Sequence, residues 1–318
     1  MLELLRRDVD VITMGECMAL LVPTRGESLE TAGSLTVHVA GAESTVARYL
    51  SDLGHTAAWV SRLGCDPFGD RILGALTLSG VDVQHVVRDS AAPTGVFFKN
   101  PDSHASSVHY YRRGSAASKL SPSDLATVPL DAARLVHVSG ITLALSTSAA
   151  HATELFLERA GAAGVRRSFD VNYRPGLWSV THAAPVLHGM TQRADIVFVG
   201  RDEAQELWGT TDASSVRALL GDGHELVVKD ADVGATVFPS GQRNGIFVPS
   251  PRVEVLEPVG AGDAFAAGYL SGLLNGECPE ARMVLAHRVA ALALGSMGDH
   301  VDATSLRSSV QEVRGGRA

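Results

Sequence analysis

Short apolar runs closed by Gly, Asp or Ser recur along the chain: "DVITMG", "TAAWVSRLG", "RLVHVSG", "VRRSFDVN", "ADIVFVG" and "ELVVKD". Runs of this length between turn residues read as buried strands. Longer mixed stretches separate several of them and predict helices, among them Ser44 to Leu53, Ser148 to Ala163 and Asp263 to Leu274. Strands that alternate with helices imply right-handed crossovers and a mainly parallel sheet with helices on its faces. No fixed-period repeat is present.

Two regions break this rhythm. Residues 17–39 and 95–113 are more polar and strand-like, and the second contains the alternating "SVHYYRR". Side chains alternate faces along a strand, so Tyr110 and Arg112 share one face while Tyr111 and Arg113 take the other. These regions predict a small β lid over the ligand crevice of the main domain. No Pro/Ser linker sets them apart, so residues 1–318 are expected to form one domain with the lid as a subdomain.

Composition narrows the picture further. A chain of 318 residues, 45% hydrophobic and 19% charged, suits one large α/β domain. The net charge of -8, without a basic block, argues against nucleic acid or an anionic membrane as partner. Cys17, Cys65 and Cys278 are odd in number and widely spaced, fitting neither a disulfide framework nor a closed zinc site. With no signal-like N-terminus and no run of eighteen apolar residues, a soluble protein of the reducing cytoplasm is expected.

The densest chemistry lies in "EPVGAGDAFAAGYLSG", residues 257–272. Gly260, Ala261 and Gly262 leave their amides open at the start of a predicted helix, where free N–H groups and the helix dipole receive an anion. It is not a P-loop: the lysines, Lys99, Lys119 and Lys229, do not stand in GxxxxGK[ST]. Asp263 follows directly. A first-turn acid stabilises a helix by about 0.3 to 1 kcal/mol, and that is one reading; a general base that takes the proton of an attacking hydroxyl is the other.

The segment "PVGAGDAFAAGYLSG" resembles the C-terminal signature of the ribokinase-like, or PfkB-type, carbohydrate kinases. "VITMGE", "AGAESTVARYLSDLG" and "RLGCDPFGDRI" are similar to the family's N-terminal blocks, in family order. The resemblance implies a three-layer α/β/α domain with a mainly parallel central sheet and a small β lid. It also implies phosphoryl transfer from ATP with Mg²⁺, with Asp263 as base and the amides of Gly260, Ala261 and Gly262 as anion hole. "YYRRGSAASKL", "FDVNYRPGLW" and the late "GDH" are closest to the 2-keto-3-deoxygluconate kinases, whose expected product is the 6-phosphate. A substrate carboxylate calls for fixed cations, and the planar fork of Arg suits it.

By that resemblance the sugar site comprises Gly41, Ala42, Glu43, Thr45, Phe97, Tyr110, Arg112, Arg174, Asp263 and, in "GDH", Asp299. The nucleotide side comprises Asn172, Arg174, Lys229, Gly234, the 260–262 amides and His287, with Glu203 organising Mg²⁺ through water. Asp170, Asn172 and Arg174 alternate in position, so all three are able to face the crevice.

The chain departs from the family pattern in several places. Ala40 and Gly41 stand for paired glycines, Thr45 for an Asn, Phe97 for a Tyr, Gly200 for an Asn, Ala231 for a Gly and His287 for an Asn; the first acid of the C-terminal signature is Glu257, followed by Pro258. Two alternatives therefore stay open. One is a kinase of another sugar acid or of a ketose such as fructose; the other is a sugar- or nucleotide-binding sensor without turnover. An exposed lid sheet further implies a homodimer or higher homo-oligomer formed face to face.

Overall fold

The computed structural model describes residues 8–101, 107–256, 259–295, 301 and 306–307. The chain opens with β1 (Val9–Met14), leaves it for β2 (Met18–Pro23) and β3 (Leu35–Ala40), and returns through α1 (Ala42–Asp52) to β4 (Ala57–Gly64). Next come α2 (Pro67–Leu78), β5 (Val86–Asp89), β6 (Val96–Asn100) and β7 (Ser107–Tyr111). The middle runs β8 (Ala133–Ser139), α3 (Gly140–Ala144), α4 (Thr147–Ala162), β9 (Arg166–Asp170), α5 (Val180–Thr191), β10 (Ile196–Gly200), α6 (Arg201–Trp208) and α7 (Ala213–Leu220). It ends with β11 (Glu225–Asp230), β12 (Gly234–Phe238), β13 (Ile246–Pro249), α8 (Ala261–Leu274) and α9 (Pro279–Leu294).

Among the described residues, nine strands form one sheet in the order β13-β12-β11-β10-β9-β8-β1-β4-β5. From β11 to β5 every neighbour is parallel; β12 and β13 add an antiparallel edge. Every predicted strand lies in this sheet, and its faces follow the alternation of the apolar runs. Val11, Trp59, Leu135, Phe198 and Val227 pack into one core, while their neighbours Ile12, Val60, Val136, Val197 and Val228 pack into the other. The first core is covered by α1, α2, α8 and α9, the second by α4 to α7. This is the expected three-layer architecture.

The helix α8 has no polar face after its first turn: every residue from Ala264 to Leu274 is buried. Its density of small residues comes from close packing on α9, since a Cβ on Gly268 would stand 2.8 Å from the Cα of Ala286. The three predicted helices form with ends shifted by one or two residues, the amount by which fraying termini ordinarily vary.

The polar regions build a second sheet, β3-β2-β6-β7. It is rooted at the carboxyl edge of the large sheet, because β1 runs out of that edge into β2 and β3 leads back to the start of α1. Its inner side is a small cluster of Met18, Leu20, Ala40 and Phe97. β7 is largely exposed, with Tyr110 48% and Tyr111 67% accessible. Among the described residues no helix is long and apolar enough to cross a membrane. Glu257, Pro258 and Asp299 lie outside the described residues.

Candidate active site

The carboxyl ends of β9, β10 and β11 and the N-terminus of α8 deliver charged groups to one place. β9 ends on Asp170, whose buried carboxylate accepts from the Nζ of Lys229, at the end of β11, at 2.8 Å. The other Asp170 oxygen accepts from the backbone N–H of Asn172 at 3.1 Å, holding that residue at φ 39. Positive φ is tolerated by Asn better than by most residues. The side-chain amide of Asn172 then donates to Asp263 at 3.4 Å. Its Oδ1 is buried without a hydrogen-bond partner among the described residues.

At the start of α8, Gly260 caps the helix at φ 81, a left-handed conformation that costs glycine little. Its carbonyl accepts from Ala264, which leaves the early amides of the turn, those of Ala261 and Gly262, pointing outward. Gly262 keeps this approach open: a Cβ there would meet only the Lys229 Nζ, at 3.7 Å. An anion brought to this turn therefore finds free N–H donors, the helix dipole and one ammonium.

Asp263 keeps some accessible surface, yet dense packing around its carboxyl raises its pKa from 3.8 to about 7, and the Asp170 charge pushes the same way. Arg174 and Lys229 oppose the rise, and Glu43 adds to it. A carboxyl poised near neutrality suits a base that must both accept and release a proton. Burial works against the Lys229 charge, but Asp170 and Glu203 more than offset it, so Lys229 stays protonated.

Glu203 caps α6, accepting from the Gly200 N–H at 2.9 Å, and its other oxygen accepts from Arg174 at 3.3 Å. Burial raises its pKa, while Lys229 and Arg174 counter that. Magnesium takes few protein ligands and keeps most of its water, so it needs one or two carboxylates beside the phosphates instead of a cage. Glu203 and the unpartnered Asn172 Oδ1 are oxygen donors of that kind, flanking the anion-receiving turn. The residues present fit a Mg²⁺ carried in on a nucleotide.

On the sugar side the placements are more varied. Arg112 follows β7, forms an ion pair with the buried Glu16, and lies over the Tyr110 ring at 5.5 Å, so the two share a face as expected. Tyr110 also stacks on Phe97, their centroids 5.3 Å apart. Gly41 has no room for a Cβ, which would strike the carbonyl oxygen of Glu16, and Ala42 opens α1 half-buried. Thr45 is buried in the first turn of α1, its amide bonded to Gly41.

Glu43 is fully buried and points inward. One of its oxygens accepts from the Ser139 amide at 3.0 Å and from the Ser139 and Thr142 hydroxyls, each at 2.7 Å. In this arrangement it ties α1 to the end of β8 and offers no surface to a ligand.

On the nucleotide side, Gly234 opens β12, where a Cβ would strike the Val248 carbonyl. His287 is buried on α9, bonded to the Val248 carbonyl at 3.1 Å and packed edge-on against Phe265. Ala231 sits at φ 43 in the turn between β11 and β12, where a glycine would be unstrained.

Sequence reasoning missed Glu16 and the Asp170 to Lys229 pair. Both were findable in one respect: Glu16 and Asp170 stand at the carboxyl ends of parallel strands, where ligands bind.

Comparison with known proteins identifies the family. Residues 9–305 match the model of the pfkB family carbohydrate kinases, and the chain belongs to that family. It is therefore a sugar kinase, with ATP and Mg²⁺ as cofactors. It is similar to the 2-dehydro-3-deoxygluconokinase of Thermoproteus tenax, 33% identical over 92% of this chain and 90% of the relative. The 2-dehydro-3-deoxygalactonokinase of Haloferax volcanii is also 33% identical, over 91% of this chain and 92% of the relative. Among solved structures, a PfkB protein from Polaromonas sp. JS666 superposes with a TM-score of 0.85 at 34% identity, covering 94% of this chain and 99% of the other.

Proposed function

We propose that this kinase transfers the γ-phosphoryl group of ATP to the 6-hydroxyl of a 2-dehydro-3-deoxy sugar acid, 2-dehydro-3-deoxygluconate (2-keto-3-deoxygluconate) first among them. The observation that carries the reading is the pairing of two features: Asp263 beside an open anion-receiving turn, and a buried arginine, Arg112, on the small sheet. The relatives named for sugar-acid substrates support the same choice.

In this reading the substrate hydroxyl gives its proton to Asp263 as its oxygen bonds to the γ-phosphorus, and the bond from that phosphorus to the ADP oxygen breaks. Asn172 orients the carboxyl of Asp263. The amides at 260–262 and Lys229 stabilise charge on the transferring group. Mg²⁺ supplies neutralisation of the phosphate oxygens, with Glu203 and Asn172 as the residues that would hold it.

Arg112 takes the acid end of the sugar and Tyr110 bonds one of its oxygens; Arg174 meets the substrate or the phosphate. The whole chain acts as one kinase domain whose small sheet is a lid, and closure of that lid excludes water. The exposed β7 face supports a homodimer made lid to lid. The accessible free thiols of Cys65 and Cys278 support a reducing cytoplasm.

Phosphorus NMR of the product formed from ATP and 2-dehydro-3-deoxygluconate tests the reading. A primary phosphate ester coupled to the C6 protons is expected; inorganic phosphate alone, or an ester at another carbon, would contradict it.

A further inference from the structure

Arg112 is already committed to a carboxylate within the protein itself. Glu16 stands in the turn between β1 and β2, and its carboxylate is wholly buried. One oxygen accepts from the Ser115 hydroxyl at 2.5 Å; the other is paired with an Nη of Arg112. Gly95 makes room for it, since a Cβ there would stand 2.9 Å from the Glu16 Oε1. Residues from two separate stretches thus enclose one carboxylate.

The Arg112 side chain is 9% accessible, and its guanidinium lies over the Tyr110 ring. Its Nε is buried and has no hydrogen-bond acceptor among the described residues. A buried donor left without an acceptor is costly, so a ligand oxygen there is favoured.

We propose that Glu16 is a specificity-determining residue: it neutralises Arg112, so that the site recognises a sugar acid through the geometry of the buried Nε–H instead of through net charge. The inference rests on the sugar-acid reading above. A substrate carboxylate that approaches a neutral pair gains the Nε hydrogen bond but is repelled by Glu16. Without the Glu16 charge, the buried guanidinium is uncompensated and the substrate carboxylate becomes its partner. Glu16 in this way moderates the hold on the acid and on its phosphorylated product.

The test compares KM for 2-dehydro-3-deoxygluconate with KM for its uncharged methyl ester. Glu16→Gln keeps the shape: its amide oxygen still faces Arg112, and its NH₂ still reaches Ser115. The ratio of acid KM to ester KM is expected to fall about tenfold, the low end for a close charge pair. Ser115→Ala, which loosens Glu16, is expected to shift the ratio the same way by about two- to threefold and serves if Glu16→Gln does not fold.

A ratio that is unchanged or rises in Glu16→Gln overturns the proposal, as does an equal shift for acid and ester. In Arg112→Met the effect of Glu16→Gln on the ratio is expected to vanish, and its persistence would overturn the proposal. If Arg112→Met leaves the acid KM unaltered, the assignment of Arg112 fails instead, and the inference falls with it.

Discussion

In the large sheet, Asp170 and Lys229 stand at the ends of buried parallel strands, Glu203 in the first turn of α6 and Asp263 at the head of a buried helix. They hold one another: Lys229 on Asp170, Asp170 on Asn172, Asn172 on Asp263. By contrast, Tyr110 belongs to, and Arg112 follows, the last strand of a four-stranded sheet whose small inner cluster leaves that strand half in solvent. The sheet-end wall is rigid because its groups sit on elements fixed by two large cores. In the small sheet Arg112 is held by its ion pair with Glu16 and lies over Tyr110, which stacks on Phe97. Chemistry common to a family fits the first wall, and substrate choice fits the second, where this chain also departs from the family pattern at Phe97.

The largest expected break is on the sheet-end wall. Asp263→Asn removes the base and is expected to lower kcat by about 10² to 10⁴, read by steady-state ADP release, with KM for the sugar changed much less. The pH dependence carries the same information. With a pKa of about 7 in the free protein, Asp263 is protonated below that value, so kcat/KM should rise through pH 7 and level off above it.

Stability should move the opposite way. The folded pKa is raised from 3.8, so the native state favours the protonated acid, and stability is lost as pH rises from about 4 through 7. Asp263→Asn is therefore expected to melt higher than the parent at pH 8 and at nearly the same temperature near pH 4. A variant that melts lower at pH 8 would contradict the burial argument.

Next in size is the pair beneath the base. Lys229→Met leaves Asp170 charged and buried without its partner, an expected loss of about 3 kcal/mol in urea unfolding, discounted for the accessible part of Lys229. Asp170→Asn in the same chain should recover much of that, and an additive further loss would argue against the pairing.

The smallest effect lies at the edge of the nucleotide side. Ala231→Gly relieves a positive φ and is expected to stabilise by about 0.5 to 1 kcal/mol, again by unfolding. A destabilised variant would show that the methyl group is packed.

The same contrast explains what was legible in the sequence. The sheet, its faces and the head of α8 were readable because apolar alternation and glycine placement are local signals, and the cores of Val, Ile, Leu and Phe follow them residue by residue. The two polar stretches announced the second sheet for the same reason. Pairing across the fold was not readable. Lys229 finds Asp170 across 59 residues and Glu43 finds Ser139 across 96, distances over which no periodicity reports. A motif position shows which helix turn Glu43 occupies, but the inward direction of its carboxylate depends on where β8 ends.

The most direct test of the account is ADP release with Mg·ATP against 2-dehydro-3-deoxygluconate, 2-dehydro-3-deoxygalactonate, gluconate, fructose and ribose. Turnover selective for the two dehydro-deoxy acids is expected, and Arg112→Met should lower it more than turnover of any neutral sugar. Turnover of fructose or ribose with none of the acids would contradict it.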